Sequence, residues 1–133
     1  MHKKEINKIA KKYYLEEVVL FGSRALGEAK NCSDTDIAIY CKKDLSPDEF
    51  LDLLGEFNKL FRSEKVDLID LKKIRDITLL WEIYSKGKLL FEKKAGTFLE
   101  KRASAFLDYH DFKRFYAGDR KEVLLKGIKE LTA

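Results

Sequence analysis

The chain has 133 residues, 45% apolar and 38% charged, with 27 Lys and Arg against 23 Asp and Glu. That length and apolar share fit one domain over 1–133 and exclude a disordered chain, while a net charge of +4 does not by itself indicate nucleic acid. No apolar run approaches the roughly 20 residues needed to cross a bilayer, and Met1-His2-Lys3-Lys4-Glu5 has no apolar segment behind it, so a cytoplasmic protein with no membrane partner is expected.

Ile6, Ile9, Ala10 and Tyr13 recur at intervals of three and four, which predicts an amphipathic helix over 3–14. Leu15-Glu16-Glu17-Val18-Val19-Leu20-Phe21 reads as a short buried strand, and a turn at Gly22–Gly27 with a short helical turn separates it from a second strand, Thr35 to Cys41. Ser46-Pro47-Asp48-Glu49 carries the signals of a helix start: a capping serine, proline at the first position and acids in the first turn. The helix continues through Phe50, Leu53, Leu54, Phe57, Leu60 and Phe61. A third strand is predicted at Lys65–Leu71, a helix at Asp76–Ser85 ended by Lys86-Gly87, and a fourth strand at Lys88–Glu92.

From Ala95 the pattern is helical to about Tyr116, breaks at Ala117-Gly118-Asp119, and resumes as a short helix through Leu131. The longer of these helices carries two stripes, Leu99, Ala103, Phe106 and His110, and Ala105, Tyr109, Phe112 and Tyr116. One stripe covers the domain's own core; the second either packs internally as well or leaves an aromatic surface that suits docking on a partner. Cys32 and Cys41, with eight residues between them, are expected to be free thiols, and His2 and His110 lie too far apart in the chain to suggest a zinc site.

The chemistry concentrates in Gly22-Ser23-Arg24 and Ser33-Asp34-Thr35-Asp36-Ile37, with ten residues between Ser23 and Asp34. A glycine where a strand hands over to a helix lets backbone approach a phosphate, and the free N–H groups there favour negative charge. Asp34 and Asp36 are two apart on a strand and so project to one face, where paired carboxylates call for a cation, Mg²⁺ with a triphosphate being the usual one. A third carboxylate is available from Asp67 or Asp70; they face opposite sides of their strand, so only one can join the other two. Arg24 either contacts a phosphate or braces the loop, or is simply an exposed arginine. Trp81 and Tyr84 fit core or groove positions.

Taken together, the Gly-Ser pair followed after ten residues by Asp-x-Asp resembles the signature of the nucleotidyltransferase superfamily related to polymerase β. With Val66-Asp67-Leu68-Ile69-Asp70 and only a helical tail beyond, the chain is similar to the minimal nucleotidyltransferases, MNT, over about residues 5–92, the tail at about 95–133 matching by length and pattern. The resemblance implies an α+β fold: a small mixed sheet flanked by helices, with a C-terminal helical tail. It implies Asp34, Asp36 and Asp67 as catalytic, metal-binding acids for two Mg²⁺ ions, favouring Asp67 over Asp70, and Gly22, Ser23 and Arg24 as the binding site for ATP. Leu26 departs from the family, many members of which carry a second basic residue there. MNT proteins are antitoxins that transfer AMP from ATP to a tyrosine of a HEPN ribonuclease toxin, so the resemblance implies that partner, a hetero-oligomer with it, and no nucleic-acid template. Adenylylation of a small molecule such as an aminoglycoside, and neutralisation by binding alone, are the competing expectations.

Overall fold

The computed structural model describes residues 2–22, 35–62 and 65–132, with side chains described through Phe115. Its elements are α1 (Lys3–Lys12), β1 (Leu15–Phe21), β2 (Thr35–Cys41), α2 (Pro47–Leu60), β3 (Val66–Asp70), a 3-10 turn (Leu71–Lys73), α3 (Ile77–Lys86), β4 (Lys88–Glu92) and α4 (Thr97–Thr132). The strands form one mixed sheet in the order β3-β2-β1-β4. β1 runs antiparallel to both its neighbours, whereas β2 and β3 are parallel and are joined by the crossover that contains α2. This is the α+β architecture expected of the sequence.

Each face of the sheet is buried by a different pair of helices. Val18 and Leu20 of β1, Ile37 and Ile39 of β2, and Val66 and Leu68 of β3 pack with Ile6, Ile9 and Ala10 of α1 and with Leu53 and Phe57 of α2. Val19, Phe21 and Ala38 face the other way, against Leu71, Ile83 and Tyr84 and against Phe98 of α4. Strand alternation therefore sends Asp36 and Asp67, each next to a residue of the first face, to the second. A β-bulge between Leu15 and Glu17 turns Leu15 into the first core while leaving Glu17 in phase with Val19 and Phe21.

Local chemistry sets the element ends. Ser46 Oγ accepts from the Glu49 N–H at 3.1 Å while Glu49 Oε1 accepts from the Ser46 N–H at 3.2 Å, a complete capping box with Pro47 in the first turn. Ser46→Ala is expected to lower stability by about 1 kcal/mol, read from urea unfolding. Asp76 caps α3 through the N–H groups of Thr78 and Leu79. At the start of α4, the Glu92 carboxylate accepts from Gly96 N at 3.1 Å and Phe98 N at 3.0 Å, placing a negative charge at the positive end of a long helix.

The C-terminal region departs from expectation. α4 is one helix of 36 residues, and the break expected at Ala117-Gly118-Asp119 is not there. One glycine costs about 1 kcal/mol relative to alanine, and helix-favouring residues on both sides, with no proline, outweigh it. Among the two stripes, Leu99, Ala103, Phe106 and His110 are exposed, whereas Ala105, Tyr109 and Phe112 are half-buried. The second stripe, expected as a possible partner surface, is the one turned inward, Ala105 packing against the second cluster; the side chain of Tyr116 lies outside the described residues. Trp81, half-buried on α3, stacks on Tyr109 and meets Phe106 edge-on. Among the described residues no helix is long and apolar enough to cross a membrane.

Candidate active site

Asp36 and Asp67 are brought together by register. In the parallel pairing of β2 with β3, Asp36 stands opposite Asp67, so their side chains leave the same face from adjacent strands, about 4.8 Å apart at the backbone. Asp36 is half-buried and Asp67 exposed, which makes the pair an inlet from solvent rather than part of the core. Asp70 takes another role: its Oδ1 accepts from Lys72 N at 3.0 Å, capping the 3-10 turn. The two candidates for a third acid are thereby separated, one beside Asp36 and one spent on a turn.

Gly22 closes the arrangement from β1. Phe21 is the partner of Asp36 across the antiparallel pair, so the next residue, Gly22, arrives over the Asp36 carboxylate. Its φ is +75°, and a Cβ built there would overlap Asp36 Oδ2 and lie 3.2 Å from Asp36 Cγ. Glycine is required here on two counts: the left-handed backbone and the space that the carboxylate occupies. Ser23, Arg24, Ser33 and Asp34 lie outside the described residues, as does Cys32, while Cys41 is a buried free thiol. Among the described residues no three His, Cys, Asp or Glu side chains converge as a metal cage. The donors that do converge, Asp36 and Asp67, are hard carboxylate oxygens, the type that suits Mg²⁺.

The surroundings are apolar on one side. Val19 and Phe21 floor the second face, and Ile83 of α3 lies over it. At Gly87 a Cβ would meet Val19 Cγ1 at 2.7 Å, so the end of α3 closes tightly on β1 near the Gly22 end of the sheet. Periodicity alone carried no sign of this contact, although a glycine directly before a strand was one.

The model of the family described as polymerase beta, nucleotidyltransferase, matches residues 4–96. The chain belongs to that family. The matched span contains every strand of this nucleotidyltransferase and both acids of the Asp36–Asp67 pair. No curated protein sequence is significantly similar to it. Among solved structures, the nucleotidyltransferase is similar to a toxin–antitoxin complex with AMP-PNP, at a TM-score of 0.73 and 21% identity over 93% of this chain and 99% of that one. It is similar also to a complex of tri-AMPylated HEPN toxin with MNT antitoxin from Shewanella oneidensis (TM-score 0.66, 20% identity, 92% and 96% covered). A third similar structure is the toxin–antitoxin complex MntA-HepT (TM-score 0.66, 20% identity, 92% and 97% covered). At these identities the likeness shows a shared fold, tail included.

Proposed function

We propose that this chain is a Mg²⁺-dependent protein adenylyltransferase that moves AMP from ATP to a tyrosine of a HEPN-type toxin and so acts as its antitoxin. The observation that carries the reading is the register that sets Asp36 beside Asp67, with Gly22 folded over the Asp36 carboxylate. Support comes from the family, from the AMP-PNP bound in one similar complex and from the AMPylated toxin in another.

In the reaction, the tyrosine oxygen forms a bond to the α-phosphorus of ATP, the bond from that phosphorus to the bridging oxygen breaks, and diphosphate leaves with its electron pair. Asp36 and Asp67, with Asp34, would hold Mg²⁺. Bound there, the cation offsets the charge of the triphosphate and of the transition state and makes the attacking hydroxyl more acidic. The chain's own share is placement. The Gly22 backbone, with Ser23 and Arg24, holds the outer phosphates, and the open side of Asp67 admits the acceptor hydroxyl in line. The carboxylates also accept the proton that the tyrosine loses.

The acceptor arrives on a partner protein, and the exposed face of α4 suits it. Leu99, Leu107 and Phe115 are each about three-fifths exposed and Phe106 is 44% exposed, apolar side chains spread over the outward half of a helix that already buries its other side. Leu107→Asp with Phe106→Asp is expected to weaken capture of the partner by about tenfold or more while leaving ATP affinity unchanged, checked by pull-down beside calorimetry with AMP-PNP. To test the reading as a whole, the product of the neighbouring gene, expected to be a HEPN-type protein, is expressed alone and together with this chain. The expected result is arrested growth relieved by co-expression, with the purified partner heavier by AMP. Relief with an unmodified partner would instead favour neutralisation by binding alone.

A further inference from the structure

β1 carries a charged side chain on the buried face it shares with Val19 and Phe21, between Tyr40 of β2 and Glu92 of β4. Glu17 is fully buried, the only carboxylate in the buried class among the described residues. Lys101 of α4 reaches down to it, with Nζ 2.5 Å from Glu17 Oε1, and the same ammonium sits 3.2 Å from the centroid of the Tyr40 ring. Tyr40 is Glu17's partner on β2. Tyr84 closes the group from α3; burial, then the Glu17 charge, pushes its phenol above the ordinary value, so it keeps its proton. The next residue of α4, Arg102, donates from Nε to the Tyr84 carbonyl at 2.7 Å. Four elements thus meet around one buried carboxylate, apart from the Asp36–Asp67 pair.

A buried ion pair is poorly explained by stability, because well-packed apolar side chains of similar volume do as well or better. What it supplies is direction. Apolar contacts such as Trp81 on Tyr109 tolerate sliding and tilt, whereas an ammonium held between a carboxylate and a ring face has one place to be. Lys101 is the fifth residue of a 36-residue helix, and half-buried Phe112 still lies against the body of the protein. From Phe112 to Thr132 the helix runs roughly 30 Å at 1.5 Å per residue, so a small tilt at the anchor is magnified along its length.

We infer that the Glu17–Lys101 pair, seated on Tyr40, is a positioning device that fixes the direction of α4 against the sheet. In doing so it fixes where a partner held on α4 presents its hydroxyl to the Asp36–Asp67 site. The second clause rests on the proposed function; the first does not.

Electron paramagnetic resonance separates the two. Spin labels are attached at Phe115→Cys on α4 and Leu51→Cys on α2, both 62% exposed, in a Cys32→Ala background, Cys41 being buried. A single narrow distance is expected in the parent chain. Lys101→Met should broaden or shift it. Because that variant strands a buried carboxylate, Glu17→Gln with Lys101→Met serves as the folded control and should broaden it equally. Without labels, the double variant should bind AMP-PNP as the parent does yet transfer AMP to the partner about tenfold more slowly or worse. A distance in the double variant as narrow and as long as the parent's overturns the inference. Failure of the parent itself to transfer AMP would overturn the proposed function and leave the distance measurement to decide the anchor.

Discussion

Asp36→Asn is expected to reduce AMP transfer by about 10³-fold or more, about 4 kcal/mol of transition-state stabilisation, while the chain stays folded and still binds its partner. The substitution keeps the shape of a half-buried side chain and removes one of two carboxylates that stand opposite each other on adjacent strands. Two like charges so placed repel each other unless a cation lies between them. Added Mg²⁺ with AMP-PNP should therefore raise the melting temperature of the wild type and raise that of Asp36→Asn far less. Asp67→Asn should behave in the same way. Asp70→Asn should not, because Asp70 is engaged with Lys72 N at the end of the strand. Equal activity in Asp36→Asn and wild type would remove the site from the mechanism.

Gly22→Ala is expected to be nearly as damaging by a different route. An alanine at φ +75° costs about 1–2 kcal/mol in backbone strain. Its methyl group also falls on the Asp36 carboxylate, with Asp36 Cβ 3.5 Å away, so one of the two must move. Moving Asp36 spoils the pairing with Asp67, and moving Gly22 displaces the backbone that approaches the phosphates. The outcome should be a lower melting temperature, AMP-PNP affinity weakened by about tenfold or more, and transfer reduced by about 10²-fold or more. Gly55→Ala is the matched control: it lies within α2, a Cβ there meets nothing within 4 Å, and alanine favours the helix. That variant should gain about 0.5–1 kcal/mol of stability and keep full activity.

Much of this was legible in the residues because the strands are short apolar runs with sharp ends. β1 ends at Gly22, β2 spans Thr35–Cys41 as its alternation requires, and β4 follows a glycine. The start of α2 was legible because Ser46, Pro47 and Glu49 each have one physical reason to stand where they do. Strand order and register were not, since they depend on contacts between distant segments. The sequence could separate Asp67 from Asp70 by face, but only the pairing of β2 with β3 sets Asp67 opposite Asp36. Nor was the continuity of α4 legible, because a lone Gly118 looks like a stop signal although its cost is smaller than what the flanking turns contribute. Glu17 is hidden for a related reason: a glutamate in a strand carries no mark of burial, and its partner Lys101 lies 84 positions later. Ser23, Arg24 and Asp34 rest on the motif, being outside the described residues.

In the proposed reaction the site moves the α-phosphoryl group, with its nucleoside, onto a protein hydroxyl. The most direct test runs two parallel reactions with Mg²⁺ and the partner toxin, one with ATP labelled at the α-phosphate and the other at the γ-phosphate, followed by peptide mapping of the partner. The expected result is α label on a tyrosine peptide of the partner, γ label only in released diphosphate, and no label on the partner with Asp36→Asn. Label from the γ-phosphate on the partner, or no label from either, would contradict it.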